Sequence, residues 1–261
     1  MKIESLSEQI IPMVRQAGQL LTGRQAGQNR QAKEGTANYV TATDYAVQAY
    51  IQTELQRLTP QIPLVSEESD DHFFDPDHAA WILDPVDGTT NLMFQLQHSA
   101  VSLALWLDGR VQLAAIYNPY LDEMFSACEG GGARLNGQII QTADPSDLRQ
   151  ALIGFGTTPY DRSQADITFR LLKTVFLRSF EIRRTGSAVL DLAYVACGRL
   201  SGFFELTLQP WDYAAGSLLI REAGGILSNW HNEPVSLKKP DSVLAAGPKL
   251  HAQLLDLIRQ L

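Results

Sequence analysis

A chain of 261 residues, 45% of them hydrophobic, can bury a full core, as one large unit or as two closely packed layers. Its formal charge of −8 offers polyanions a repulsive average field, so nucleic acid is not an expected partner. Cys128 and Cys197 lie far apart and make no disulfide framework, residues 1–15 lack the pattern of a signal peptide, and no apolar run is long enough to span a bilayer. The expected setting is the cytoplasm, with no membrane partner.

Leu6, Ile10, Val14, Ala17 and Leu21 recur at helical steps and mark an opening helix that Gly23 ends. Residues 25–38 read as loop. Asp44 reads as the cap of a second helix, whose stripe Val47, Ile51, Leu55 and Leu58 stops before Pro60 and Pro63. Two short buried strands follow, Leu64-Val65-Ser66 and Trp81-Ile82-Leu83, and each delivers an acid at its end, Glu67 and Asp84. A β-meander is expected from 100–107 and 111–117 around Asp108-Gly109, with a further strand at 124–127 and a turn at Asn136-Gly137. The second half alternates. Strand 152–155, a helix near 165–177, strand 180–182, a helix after Ser187, strand 203–206 and a helix over 212–223 stopped by Gly224-Gly225 come in turn. A strand, a loop, strand 243–245 and a last helix from Pro248 complete the chain.

The chemistry concentrates in Asp84-Pro85-Val86-Asp87-Gly88-Thr89-Thr90-Asn91. Its two carboxylates stand three apart, and Pro85 is expected to stop the strand so that the backbone curls both acids toward one point. Oxygen ligands at such a bend suit Mg²⁺, and Gly88 allows a tight turn that aims the next amides at a phosphate. The plainer alternative for two such aspartates is an Asx turn with capping residues.

The octapeptide resembles the signature of the inositol monophosphatase family, Asp-Pro-Ile/Val-Asp-Gly-Thr-Thr-Asn, at every position. The likeness continues through Lys33, Val40-Thr41-Ala42-Thr43-Asp44, Glu67-Glu68-Ser69 and Trp211-Asp212-Tyr213-Ala214-Ala215-Gly216. Ser66, where glycine is usual, and Gln97-His98, where Pro-aromatic is frequent, depart from the pattern without removing a ligand.

The resemblance implies an α/β (α+β layered) αβαβα sandwich, with an N-terminal half at 1–146 and a C-terminal half at 147–261 packed as one unit. It implies two or three Mg²⁺ ions: Glu67, Asp84 and the Val86 carbonyl for a first, Asp84, Asp87 and Asp212 for a second, and a weaker third near Glu67. Asp44 and Thr89, with Glu67, become the residues that activate water. Asp87, Gly88, Thr89, Ser187, Ala188 and Glu205 become phosphate or substrate contacts, and Lys33 has a possible site role. The implied reaction is hydrolysis of a small phosphorylated polyol, myo-inositol monophosphate first, by a lithium-sensitive homodimer. Fructose 1,6-bisphosphate, histidinol phosphate and 3′-phosphoadenosine 5′-phosphate are alternative family substrates, and a scaffold or regulatory binding protein is the alternative of another class.

Taken singly, these residues have plainer readings: Asp44 as a helix cap, Glu67 and the acidic loop to Asp77 as solvated, Lys33 and Glu34 as loop charges, Trp211-Asp212 as a core aromatic before a cap, Glu205 as a strand-edge polar group. Their ordered co-occurrence favours the site. A rival phosphate loop, Cys128 to Arg134 in Cys-x5-Arg spacing, leads into a strand and turn where a thiolate mechanism needs a helix. An aspartyl nucleophile of the Asp-x-Asp-Gly-Thr type is excluded by the two residues between the acids. No close-spaced histidine or cysteine set points to zinc.

Overall fold

The computed structural model describes residues 3–33, 35, 37–69, 72 and 74–261. Glu34 and the loop residues Asp70 and Asp71 lie outside them. Helix α1 (Ile3–Gly18) continues into a 3-10 turn ending at Gly23, as its apolar spacing predicts. The stretch read as loop holds a small hairpin instead, β1 (Gln31–Ala32) against β2 (Tyr39–Val40). Helix α2 (Ala42–Leu58) then begins two residues before Asp44. Its N-cap is Thr41, and Asp44 is the third residue of a capping box, returning a carboxylate oxygen to the Thr41 amide at 2.9 Å.

The first sheet runs in the order β3 (Leu64–Ser66), β4 (Ala80–Asp87), β5 (Ala100–Leu107), β6 (Arg110–Asn118), β7 (Glu123–Cys128), β8 (Ala133–Leu135), β9 (Gln138–Ile139). Only the β3–β4 pair is parallel. Asp108 and Gly109, with φ of 52° and 79°, make the tight turn that this dipeptide tolerates. A short helix, α3 (Thr89–Met93), follows β4 directly.

The second sheet is built from β10 (Leu152–Phe155), β11 (Glu181–Arg183), β12 (Gly202–Leu208), β13 (Ile226–Ser228) and β14 (Asp241–Ala246), in the order β11-β10-β12-β14-β13. Between its strands come α4 (Ala165–Phe176), α5 (Ala188–Ala196) and α6 (Pro210–Glu222), and α7 (Pro248–Ile258) follows the last.

Side-chain parity explains why these elements stack in five layers. Along a strand, successive residues face opposite sides. Trp81, Leu83, Leu103, Leu105, Leu113, Ala115 and Tyr117 join the core beneath α1 and α2, while Ile82, Ala104, Ala114 and Ile116 join the core with α5 and α6. The second sheet divides likewise: Phe203 and Ala245 face α5 and α6, whereas Phe204, Leu244 and Ala246 face α4 and α7. Both sheets are therefore apolar on two faces, and α5 and α6 fill the space between them. The order is α1/α2, first sheet, α5/α6, second sheet, α4/α7, the αβαβα sandwich that the resemblance implied. Each large apolar side chain so buried contributes roughly 1.5–3 kcal/mol relative to exposure. Among the described residues, no helix is long and apolar enough to cross a membrane.

Candidate active site

The expectation that Pro85 stops its strand is wrong in detail. Strand β4 continues to Asp87, and its pairing shifts between Asp84, opposite Ser102, and Asp87, opposite Ala100. Three residues of β4 thus span two of β5, which is a bulge. The consequence is chemical. With strict alternation Asp84 and Asp87 would point to opposite faces of the sheet, and the extra residue brings both to one side. Pro85, with no amide to donate, sits where the ladder is already broken.

Gly88 follows in the left-handed region at φ 84°, and an added Cβ would come within 2.9 Å of the His98 carbonyl, so the turn requires glycine. Thr89 opens α3 and is placed to donate its hydroxyl proton to the Val86 carbonyl, at 3.0 Å, or to Asp44 Oδ1, at 3.2 Å. One hydroxyl proton serves two acceptors, so it can move between them. Asp44 Oδ2 is taken by the Thr41 amide and hydroxyl, at 2.9 and 2.5 Å. That leaves Oδ1 facing Thr89.

Asp212 stands in the first turn of α6, a helix that starts at Pro210, earlier than its apolar pattern indicates. Its Oδ2 accepts the Gln209 amide at 2.7 Å. Asp87 accepts a hydrogen bond from the Ser187 hydroxyl and another from the Val189 amide, at 3.0 Å, at the start of α5. Ser187 is itself the N-cap of that helix. The three carboxylates of Asp84, Asp87 and Asp212, brought from β4 and α6, offer ligand atoms within 4.8 Å of one another.

Burial and mutual repulsion act on these acids together. Burial first, then the charges of Glu67 and Asp87, push Asp84 well above the ordinary carboxylate range, and burial with Asp87 and Glu67 does the same to Asp212. Burial raises Asp87 to about 6 and Asp44 to about 6. Such a cluster is stabilised by a bound cation of hard character, and its all-oxygen donor set fits Mg²⁺.

Glu67 lines the same cleft without belonging to the tight three-carboxylate group. Lys33 holds it, Nζ to Oε1 at 3.1 Å, and also pairs with the nearly buried Glu68. The cleft has a volume of about 560 Å³ and is also lined by Gly88, Thr89, Ser187, Ala188 and Glu205, while Asp44 lies buried behind it and reaches it only through Thr89. Glu205 is buried, accepts the Thr158 amide at 2.9 Å, and is raised to about 7 by that burial.

Several participants escape a sequence reading. Asn91, the last residue of the octapeptide, donates to the His98 carbonyl at 2.7 Å and to the Thr185 carbonyl at 3.0 Å, tying the β4–α3 turn to the segment before α5. Tyr160, Arg184 and the buried Asp191 line the cleft. Only their assembled position marks them. Cys128 and Arg134, by contrast, sit on adjacent strands β7 and β8. The Gly130 and Gly132 amides between them face the Glu222 carboxylate at 3.0 and 2.8 Å, and burial raises the Cys128 thiol. The loop is occupied by the chain's own anion.

A sandwich of this layering with three convergent carboxylates at its centre is the frame of a metal-dependent phosphatase. The chain belongs to the inositol monophosphatase family, whose model matches residues 2–261. It is 39% identical over 228 residues to the Nus factor SuhB of Salmonella typhimurium, covering 86% of this chain and 84% of that one. Among solved structures it is similar to the extragenic suppressor protein suhB of Bartonella henselae, with a TM-score of 0.90, 32% identity and 98% of each chain covered. An inositol monophosphatase-II of Staphylococcus aureus, solved with inositol monophosphate bound, gives a TM-score of 0.82 at 28% identity, covering 97% of this chain and 92% of that one.

Proposed function

We propose that the chain hydrolyses the phosphate monoester of a small polyol, myo-inositol monophosphate first, with Mg²⁺ bound by Asp84, Asp87, Asp212, Glu67 and the Val86 carbonyl. The observation that carries this reading is the convergence of three buried carboxylates beside a hydroxyl–carboxylate pair, Thr89 and Asp44. Bound there, Mg²⁺ supplies positive charge that makes the phosphorus more electrophilic.

The chain's own groups do the rest. The amides of Gly88 and Thr89, with Ser187 and Ala188, orient the phosphate. Thr89 takes a proton from the attacking water and yields its own to Asp44 Oδ1, whose other oxygen is fixed by Thr41. The water oxygen forms the new bond to phosphorus as the ester P–O bond breaks, and the leaving alkoxide takes a proton from solvent. Glu205 accepts from ring hydroxyls of the alcohol, and Lys33 holds the Glu67 carboxylate in place.

In this reading the halves 1–146 and 147–261 act as one unit, because Asp84 and Asp87 come from the first and Asp212 from the second. Inhibition by Li⁺ and pairing into a homodimer belong to the same reading. Phosphate release from a panel of monoesters, with and without Mg²⁺, tests it. Metal-dependent release fastest with inositol phosphate supports it, and no release from any monoester refutes it.

The relatives called Nus factors support a second reading, a binding role beside the catalytic one. A purified Nus protein that binds wild type and Asp87→Asn equally would establish that role as separate from catalysis.

A further inference from the structure

A second cavity, of about 230 Å³, adjoins the cleft. Val65, Phe74, Ile82, Pro210, Trp211, Leu237 and Pro240 give it apolar walls, and Lys238 and Lys239 stand at it with their side chains exposed. Neither lysine forms an ion pair among the described residues, although the Asp75 carboxylate is near enough to Lys238 for the two charges to attract. An apolar cavity of roughly 150 Å³ is enough for benzene. This one therefore admits a one- or two-ring aromatic group, with the two lysine ammonium groups at its rim.

Its position gives it a consequence. His72, Gln209 and Trp211 line both the cavity and the cleft. Trp211 directly precedes Asp212, and the Gln209 amide donates to the Asp212 carboxylate at 2.7 Å. The His72 ring packs on Trp211 at 4.9 Å between centroids, while its Nε2 bonds the Glu67 carbonyl at 3.1 Å. Whatever fills the cavity thus touches the immediate neighbours of two residues assigned to metal binding.

We propose that this cavity is an effector site for a small aromatic anion, with the ring against Trp211 and Phe74 and the acid group at Lys238 and Lys239, coupled to metal binding at Asp212 and Glu67. The coupling rests on the metal-site reading above, while the site itself does not. Linkage requires the effect to be reciprocal: if the anion changes affinity for Mg²⁺, then Mg²⁺ changes affinity for the anion by the same factor.

The test uses the two-ring 5-dimethylaminonaphthalene-1-sulfonate as a fluorescent probe, titrated into the whole protein with and without Mg²⁺ and with inorganic phosphate. We expect saturable binding that phosphate does not displace, an affinity that Mg²⁺ shifts by about 5-fold or more, and a loss of about 10-fold or more in the double variant Lys238→Glu/Lys239→Glu, which keeps wild-type phosphate release without probe. Displacement by phosphate would put the probe in the cleft, and unchanged affinity in the double variant would remove the lysines; either result overturns the site. Binding that depends on the lysines but ignores Mg²⁺ overturns the coupling. If the probe behaves as expected while no monoester is hydrolysed, the catalytic reading fails and the binding site stands.

Discussion

Asp44 has two structural duties, and the geometry shows that they are not alternatives. One oxygen closes the capping box of α2 and the other faces Thr89. Asp44→Asn keeps an acceptor oxygen for the Thr41 amide and removes a charge that burial disfavours, so its Tm is expected to hold or rise, while kcat falls on the order of 10²- to 10⁴-fold through the proton path. Thr89→Ala touches the path alone. Its kcat should fall comparably with little change in Tm, and the double variant should resemble the worse single, because either loss breaks one relay. Measuring kcat and Tm for all three variants checks this, and losses that multiply would mean independent roles. Glu205 tests specificity at the same scale: Glu205→Gln should raise KM for inositol phosphate several-fold more than for an aryl phosphate, which lacks ring hydroxyls. Equal shifts would remove Glu205 from substrate recognition.

Between residues and fold lie the elements that aim them. Most helices and strands were legible from periodicity, since α1 and α4 show an apolar stripe and the first sheet shows turn dipeptides at its hairpins, whereas the short β1–β2 hairpin lay in a stretch that reads as loop. The clustered acids Asp84 and Asp87 were legible as candidates as well, because the octapeptide packs them into neighbouring positions. The means of aiming them was not. Pro85 reads as a stop, whereas the bulge that turns Asp84 and Asp87 together depends on where β5 lies, and pairing across strands leaves no local trace. Asn91 is similar, since its partner Thr185 is 94 positions away. The Cys128 loop shows the reverse case, a local pattern whose meaning the fold cancels by placing Glu222 in it. Cys128→Ser should leave phosphate release unchanged, as a colorimetric phosphate assay would show. Complete loss in a folded variant would revive the thiolate mechanism.

At the scale of the whole molecule, so many buried carboxyls make stability depend on pH in an unusual direction. Asp44 and Asp87 are raised to about 6, and Glu68 and Glu205 to about 7, in each case chiefly by burial. The folded state then binds more protons than the unfolded one between the ordinary carboxylate range and those values. Stability is present at low pH and lost as pH rises through the folded pKa values. His98 and His251 act oppositely: burial lowers their pKa values, so their share of stability is lost as pH falls through the folded imidazole values. With seven carboxyls raised chiefly by burial, Asp84, Asp191 and Asp212 among them, against two imidazoles and the three surface carboxyls of Asp75, Asp147 and Asp161 lowered, the metal-free Tm should fall as pH rises from about 4 to about 7. Mg²⁺ should raise Tm more at about pH 8 than at about pH 5, where its ligands hold protons. A thermal melt series with and without the ion checks both statements, and a metal-free Tm that climbs with pH would contradict the assignment of these acids as strained by their own charge.

The central claim is that Asp84, Asp87 and Asp212 form a metal site that drives phosphate-ester hydrolysis, and Asp87→Asn tests it most directly. The substitution keeps the side chain's size and removes one charge from the cluster. Calorimetric titration with Mg²⁺, alongside phosphate release from inositol monophosphate, should show weakened binding and turnover reduced to background in a protein whose melting is still cooperative. Near wild-type turnover with Mg²⁺ in that variant would contradict the account.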